Sequence, residues 1–255
     1  MLASIVSLMK NIVVVGSHGK TTTTSLIASI FQETKIDPTI INGGVINSIK
    51  NTAKLGKSDW SILEADESDG SFVHISPTYS IITNIDREHM DYYKSMNKLL
   101  NLFGEYINRV PSFGKSFICI DDKNNSKLIK SLKIKNYNTY GVHQNSNFRI
   151  SKPIQKKNWS KFNLIVNLPG KNKFTIDNFK LPLIGLHNIR NATASIAVAI
   201  SLGIPIKKIK DGLKKFKGVQ RRFNKIFDYK GANFFDDYAH HPTEIKEVLN
   251  GVKTA

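Results

Sequence analysis

The sequence predicts an α/β fold, a mostly parallel sheet flanked by helices, and three observations carry that expectation. Short apolar runs alternate with helix-spaced segments as far as about Tyr140. An apolar strand, Val13-Val14-Val15, passes through Gly16-Ser17-His18-Gly19 straight into a helical segment at Lys20. From about Asn147 to Leu183 the runs become shorter and alternate, which reads as a small antiparallel sheet.

In chain order the parallel strands are expected at Ile12–Val15, Thr39–Ile41, Ser61–Leu63, Tyr79–Thr83, Ser116–Ile120 and Asn136–Tyr140. Helical spacing marks Lys20–Thr34 and Met96–Asn108, and more weakly Asn124–Leu132. Turns are expected at Gly16, Gly43-Gly44, Pro77 and Gly114. The antiparallel runs are Phe148–Ser151, Phe162–Leu168 and Lys173–Phe179, separated by turns such as Pro169-Gly170. An Ala-rich helix follows from Asn188 to Leu202, and Pro205 opens another that reaches Lys215. A strand pair, Phe223–Tyr229 and Ala232–Asp236, then leads to a helix from Thr243, whose hydroxyl suits a cap.

At 255 residues and 40% hydrophobic content, the chain can bury a substantial core. No apolar run approaches the length needed to cross a bilayer, and the opening MLASIVSLMK lacks the pattern of a secretory signal. The single cysteine, Cys119, sits in the apolar run SFICI and reads as a small core residue. A reducing, cytoplasmic location fits, with no membrane insertion. The net charge of +17 would suit nucleic acid. Its lysines, however, are scattered through segments with few aromatics and no recognised nucleic-acid motif, so no specific nucleic-acid partner is expected.

The strand–glycine–helix segment ending Gly19-Lys20-Thr21-Thr22 has the architecture of a phosphate loop, so the sheet is expected to be of the P-loop type. Backbone amides from Gly16, Ser17, His18 and Gly19 to the start of the helix would surround phosphate oxygens. Lys20 would neutralise the terminal phosphates, and the Thr21 hydroxyl would bind Mg²⁺. Val14 stands where the general motif has its first glycine; an ordinary capped turn is the plain alternative.

Two acidic segments follow apolar strands. In Glu64-Ala65-Asp66-Glu67-Ser68-Asp69 the carboxylates repel one another unless a cation neutralises them, and Glu64, first after its strand, is best placed for Mg²⁺. A solvated acidic loop is the alternative. In Asn84-Ile85-Asp86-Arg87-Glu88-His89-Met90-Asp91, His89 suits a second metal ion or a phosphate, or is simply structural. Asn188 and Asn191, three apart, share a helix face and suit an adenine edge, or a helix cap. Arg221 and Arg222 suit a phosphate or a surface pair. Asp236-Asp237-Tyr238-Ala239-His240-His241 looks like a metal cluster, but its spacing matches no zinc pattern.

Together and in this order, GSHGKTTT, EADESD, NIDREHMD, HNIRN, the RRF turn and DDYAHHPTEI resemble the Mur ligase family over nearly the whole chain. By that resemblance residues 1–222 are the central ATP-binding domain and 223–255 begin the C-terminal domain, a second Rossmann-like unit, while the family's N-terminal UDP-binding domain is absent from this stretch. The resemblance implies ATP and Mg²⁺ as cofactors. Lys20 and Arg222 match residues at the ATP phosphates, Thr21 and Glu64 the ligands of one Mg²⁺, and His89 the ligand of a second. Asn188 and Asn191 match asparagines around the base, and Asp237 an aspartate near the ribose and the interdomain hinge.

The EADESD, EHMDYY and DDYAHHPTEI wording resembles most the branch that joins L-alanine to UDP-N-acetylmuramate through an acyl phosphate in peptidoglycan precursor synthesis. Phosphoryl transfer of that kind asks for positioning and charge neutralisation by Lys20, Arg222 and Mg²⁺, with His89 a conceivable base. Weak or absent ligation is expected of this stretch alone. Two other readings stay open: another ligase of the superfamily, such as a murein tripeptide-recycling ligase or folylpolyglutamate synthetase, and an ATP-binding module without ligation.

Overall fold

In the computed structural model, which describes residues 2–133 and 135–254, strands and helices alternate as the sequence predicts. The helices are α1 (Leu2–Val6), α2 (Lys20–Gln32), α3 (Met90–Tyr93), α4 (Met96–Asn108), α5 (Lys123–Ser131), α6 (Leu186–Ser201), α7 (Ile206–Lys214) and α8 (Pro242–Thr254). The parallel strands are β1 (Lys10–Val15), β2 (Thr39–Ile46), β4 (Trp60–Glu64), β5 (Tyr79–Ile82), β6 (Lys115–Cys119), β7 (Tyr137–Gly141) and β8 (Phe148–Lys156). Antiparallel to their neighbours run β3 (Asn51–Lys54), β9 (Trp159–Val166) and β10 (Phe174–Leu181), while β11 (Asn224–Tyr229) and β12 (Ala232–Asp236) form a separate hairpin.

The main sheet has ten strands in the order β10-β9-β8-β7-β6-β5-β1-β4-β2-β3. The expected antiparallel strands do form, but as a continuation of the parallel sheet: β7 and β8 pair in parallel through Tyr140↔Phe148 and Gly141↔Arg149. Strand β3 and helix α1 have no counterpart in the sequence reading. The former is a short polar edge strand and shows no apolar alternation to reveal it.

β1 lies inside the sheet between β5 and β4, and it is apolar on both faces because both are covered. Ile12 and Val14 enter one core with Leu26 and Phe31 of α2 and Ile196 of α6. Val13 and Val15 enter the other with Phe103 and Tyr106 of α4. The strand alternation of two residues thus divides β1 between the layers. The two longest helices on that second face, α4 and α5, are capped by side chains: Ser95 accepts from the Lys98 amide, and Asp122 from those of Asn124 and Asn125.

After β1 the chain crosses over β4 to form β2, returns to β4, and then places β5 on the opposite side of β1. The strand order therefore reverses at β1, and a crevice opens at the carboxyl ends of the strands. The registers Val14↔Glu64 and Val15↔Ile82 bring the ends of β4 and β5 level with the loop that follows β1.

Two local expectations are corrected. Gly43 and Gly44 lie inside β2 rather than in a turn; a Cβ on Gly43 would fall 2.0 Å from Glu64 Oε1, so the glycine makes room for that carboxylate. Thr243 does not cap the last helix, which already includes Pro242. Its hydroxyl donates to Asp86 Oδ2 at 2.8 Å, and His241 Nδ1 accepts the Thr243 amide instead.

Candidate functional site

The loop after β1 is built around Gly16, which adopts φ +124°, a conformation that disfavours any side chain. Asn84, just beyond β5, braces it. The Ser17 amide donates to the Asn84 carbonyl at 3.0 Å, the His18 amide to Asn84 Oδ1 at 2.9 Å, and Asn84 Nδ2 to the His18 carbonyl at 3.0 Å. The amides of Ser17 and His18 are therefore committed within the protein. Those at the start of α2, where Gly19 is left-handed and no side chain caps the helix, are the ones open to an anion. Sequence reasoning does not single out Asn84; the available signal is its place just past the carboxyl end of an apolar strand.

Lys20 reaches across the crevice to Glu67 Oε2 at 2.7 Å and also donates to the Ser17 carbonyl at 3.3 Å. Of the four carboxylates in the first acidic segment, Glu64 and Glu67 point inward while Asp66 is exposed. Burial pushes the Glu64 carboxyl above the usual carboxylate range, against the opposing pull of Thr21, Lys20, the Gly43 amide and Arg222. Its Oε2 has no hydrogen-bond partner. Thr21 and Glu64 thus meet, as expected of a shared cation site. His89 lies apart from them, at φ 55° ahead of α3, with Nε2 4.0 Å from Glu67 Oε1.

A pocket of about 390 Å³ adjoins the loop, and His18, Gly19, Thr22, Asn188, Asn191, Arg222 and Asp237 are among its lining residues. Helix α6 begins at Leu186 after Gly185, so neither asparagine is its cap; both are buried, with Asn191 Nδ2 3.4 Å from Asn188 Oδ1. Arg222 lines the pocket while Arg221 faces solvent, stacked on Tyr238 and 3.7 Å from Asp236. Asp237 spends both oxygens on the amides of Phe223 and Ala239, each at 2.8 Å, and so shapes the turn between β12 and α8. Deeper in the pocket, Arg190 pairs with Asp121 at 2.7 Å. Burial, with Arg190 and Arg222 nearby, pushes the His187 pKa down to about 4, leaving a neutral imidazole. Cys119 also lines the pocket wall; burial pushes its thiol up to about 12.

The start of α8 closes over the loop. His18 lies between Asp86 Oδ2 and Glu244 Oε1, each at 3.3 Å, and stacks on His241 with ring centroids 5.0 Å apart. Arg222 approaches Glu244 at 3.6 Å. The His18–Glu244 and Thr243–Asp86 contacts join residues more than 150 positions apart, and no local pattern marks them.

Burial alone would lower the His18 pKa, but the Glu244 hydrogen bond and the nearby Glu88 and Asp86 carboxylates leave it raised. Burial alone would raise the Glu244 pKa, but His18 and Arg222 hold it at about 2. A raised histidine stabilises most below its unfolded value of 6.5 and loses that contribution as pH rises through the folded value. A depressed carboxylate contributes above 4.5 and loses its share only near 2. The α8 contact should therefore be firmest between these limits and loosen in mildly alkaline solution. Amide exchange in the first turn of α8, corrected for its intrinsic pH dependence, is expected to accelerate from about pH 6 to pH 8.5, and His18→Gln should flatten that response. A flat profile in the unaltered chain would contradict it.

Among the described residues no helix is long and apolar enough to cross a membrane. The family model for the Mur ligase middle domain matches residues 14–199. Over all 255 residues the chain is 70% identical to the UDP-N-acetylmuramate--L-alanine ligase of Pelagibacter ubique (strain HTCC1062), covering 55% of that protein. It is 44% identical to the enzyme of that name from Rickettsia bellii (strain OSU 85-389), with 99% of the chain and 53% of the relative aligned. The chain thus spans about half the length of the curated relatives it matches. A crystal structure of UDP-N-acetylmuramate-alanine ligase from Thermotoga maritima superposes with a TM-score of 0.81 at 28% identity, covering 96% of this chain and 54% of that one. With the middle-domain match taking in the loop, both acidic segments and most of α6, the chain belongs to the Mur ligase family.

Proposed function

We propose that this chain is the nucleotide-binding part of an ATP-dependent ligase that joins L-alanine to UDP-N-acetylmuramate. The observation that carries the reading is the convergence of Lys20, Thr21 and Glu64 at the reversal point of the sheet, beside a pocket walled by Asn188 and Asn191. Identity of 70% along the whole chain to a protein bearing that name supports the substrate choice.

In this reading the first amides of α2 and the Lys20 ammonium hold the ATP phosphates, and Arg222 meets them from the far side of the pocket. Asn188 and Asn191 face the base with amide groups already ordered against each other. The neutral His187 adds a polar group without a charge beside the base. Asp237 acts by holding the turn that carries α8. A carboxylate with a buried, unpartnered oxygen next to a threonine hydroxyl fits a hard divalent cation, so Thr21 and Glu64 would hold Mg²⁺, and His89 would belong to a second ion. Bound Mg²⁺ supplies neutralisation of charge on the phosphates. The chain's own residues position the γ-phosphate for transfer to the muramyl carboxylate, and the amine of alanine then displaces phosphate from the acyl phosphate.

The domain division follows the same lines. Residues 1–222 form the middle domain; from Asn224 the chain leaves the large sheet for a separate hairpin whose residues are largely exposed, which supports 223–255 as the start of the next unit.

Calorimetry of ATP with this chain tests the nucleotide reading: one site that requires Mg²⁺ and is lost in Glu64→Ala is expected, and binding indifferent to both would refute the site. Phosphate release by the longer protein that contains this chain tests the ligase reading. It should require UDP-N-acetylmuramate and favour L-alanine over serine or glycine; release with a folate or tripeptide acceptor instead would assign the chain to another branch.

A further inference from the structure

Glu67 is the most buried carboxylate of the acidic segment, 2% exposed, and its two oxygens are used unequally. Oε2 holds Lys20 at 2.7 Å, whereas Oε1 has no hydrogen-bond partner and faces His89 Nε2 at 4.0 Å. Its backbone is held in place, since the Tyr93 hydroxyl and the Gly70 amide both donate to the Glu67 carbonyl. Asp66, Glu67 and His89 offer three donor atoms that all lie within 4.8 Å of one another.

Lys20 is a point charge on a flexible stem. If it is to neutralise a nucleotide's phosphates it must leave Glu67, and the departure strands a buried carboxylate beside incoming negative charge. Two carboxylates and an imidazole nitrogen form a donor set suited to a divalent cation that can replace it. Resting on the nucleotide reading above, we propose that Glu67 is an exchange ligand: it is the counter-ion of Lys20 while the loop is empty, and with Asp66 and His89 it takes up a divalent cation when Lys20 moves to the phosphates. Nucleotide binding and cation uptake at this second position are then one coupled event.

Mn²⁺ counted by electron paramagnetic resonance in the full chain tests the exchange. Without nucleotide, Lys20→Met should bind one Mn²⁺ roughly ten-fold more tightly than the unaltered chain, because the competing ammonium is gone. Adding Glu67→Gln should return it to the starting affinity. Asp66→Asn and His89→Gln, at more exposed positions that put little folding at risk, should each weaken the Lys20→Met site several-fold. With a non-hydrolysable ATP analogue, the unaltered chain should hold one Mn²⁺ more than Glu67→Gln. Equal Mn²⁺ affinity in Lys20→Met and the unaltered chain would overturn the exchange. Analogue binding with the same Mn²⁺ count in the unaltered chain and Glu67→Gln would overturn this inference alone, whereas failure to bind the analogue at all would remove the nucleotide reading with it.

Discussion

Gly16→Ala is expected to destabilise the chain by about 3–5 kcal/mol, because two separate penalties fall on one methyl group. At φ +124° the backbone disfavours any side chain, and the added Cβ would stand 2.3 Å from Thr83 Oγ1 and 2.6 Å from the Asn84 carbonyl oxygen. Neither neighbour can easily yield. Thr83 bonds the Val15 carbonyl, and Asn84 is tied to Ser17 and His18 through hydrogen bonds of 2.9–3.0 Å. The melting temperature should fall on the order of 10 °C, and Mg²⁺-dependent ATP binding should go with it. Gly170→Ala is the matching control: φ is +72°, but nothing lies within 4 Å of the added atom, so the cost should be only about 1 kcal/mol. Similar melting points for the two variants would show that the loop is looser than its bonding implies.

Lys20→Ala should have two effects that come apart. ATP affinity should fall roughly 10- to 100-fold, the worth of a charge-assisted phosphate contact. The folded state should also lose about 1–3 kcal/mol, because Glu67 is left buried without its ammonium. Burial already holds the Glu67 carboxyl above its usual range despite Lys20, and removing that opposing charge drives it higher. A carboxylate with a raised folded pKa penalises folding as pH climbs above its unfolded value of 4.5. The stability deficit should thus be small near pH 5 and full near pH 8. Glu67→Gln added to Lys20→Ala should restore much of the stability while leaving ATP affinity low. A deficit independent of pH would place its origin elsewhere than Glu67.

What the sequence disclosed and what it hid divide along physical lines. The phosphate loop was legible because its signal is local: an apolar strand, a glycine that must turn, and a helix that starts without a cap. Glu64 was legible for the same reason, as the last residue of a buried strand. Hidden were the features that depend on which strands become neighbours. Nothing near Phe148 announces that β8 pairs with β7 and carries the antiparallel strands into the main sheet. The choice of Glu67 over Asp66 as the partner of Lys20 is made by the turn from Glu67 to Gly70, which aims one side chain inward and its neighbour out. The bracing by Asn84 and the closure by Glu244 likewise exist only once β5 and α8 reach the loop.

Cys119, the chain's single cysteine, has a use beyond packing. Its thiol is buried and far too weak an acid to ionise near neutral pH, so no thiolate is available to attack an alkylating reagent while the protein stays closed. Covalent labelling then proceeds only through molecules that have opened at the pocket wall. The rate of mass gain in an alkylation time course becomes a clock for that opening, read from the natural residue with no introduced probe.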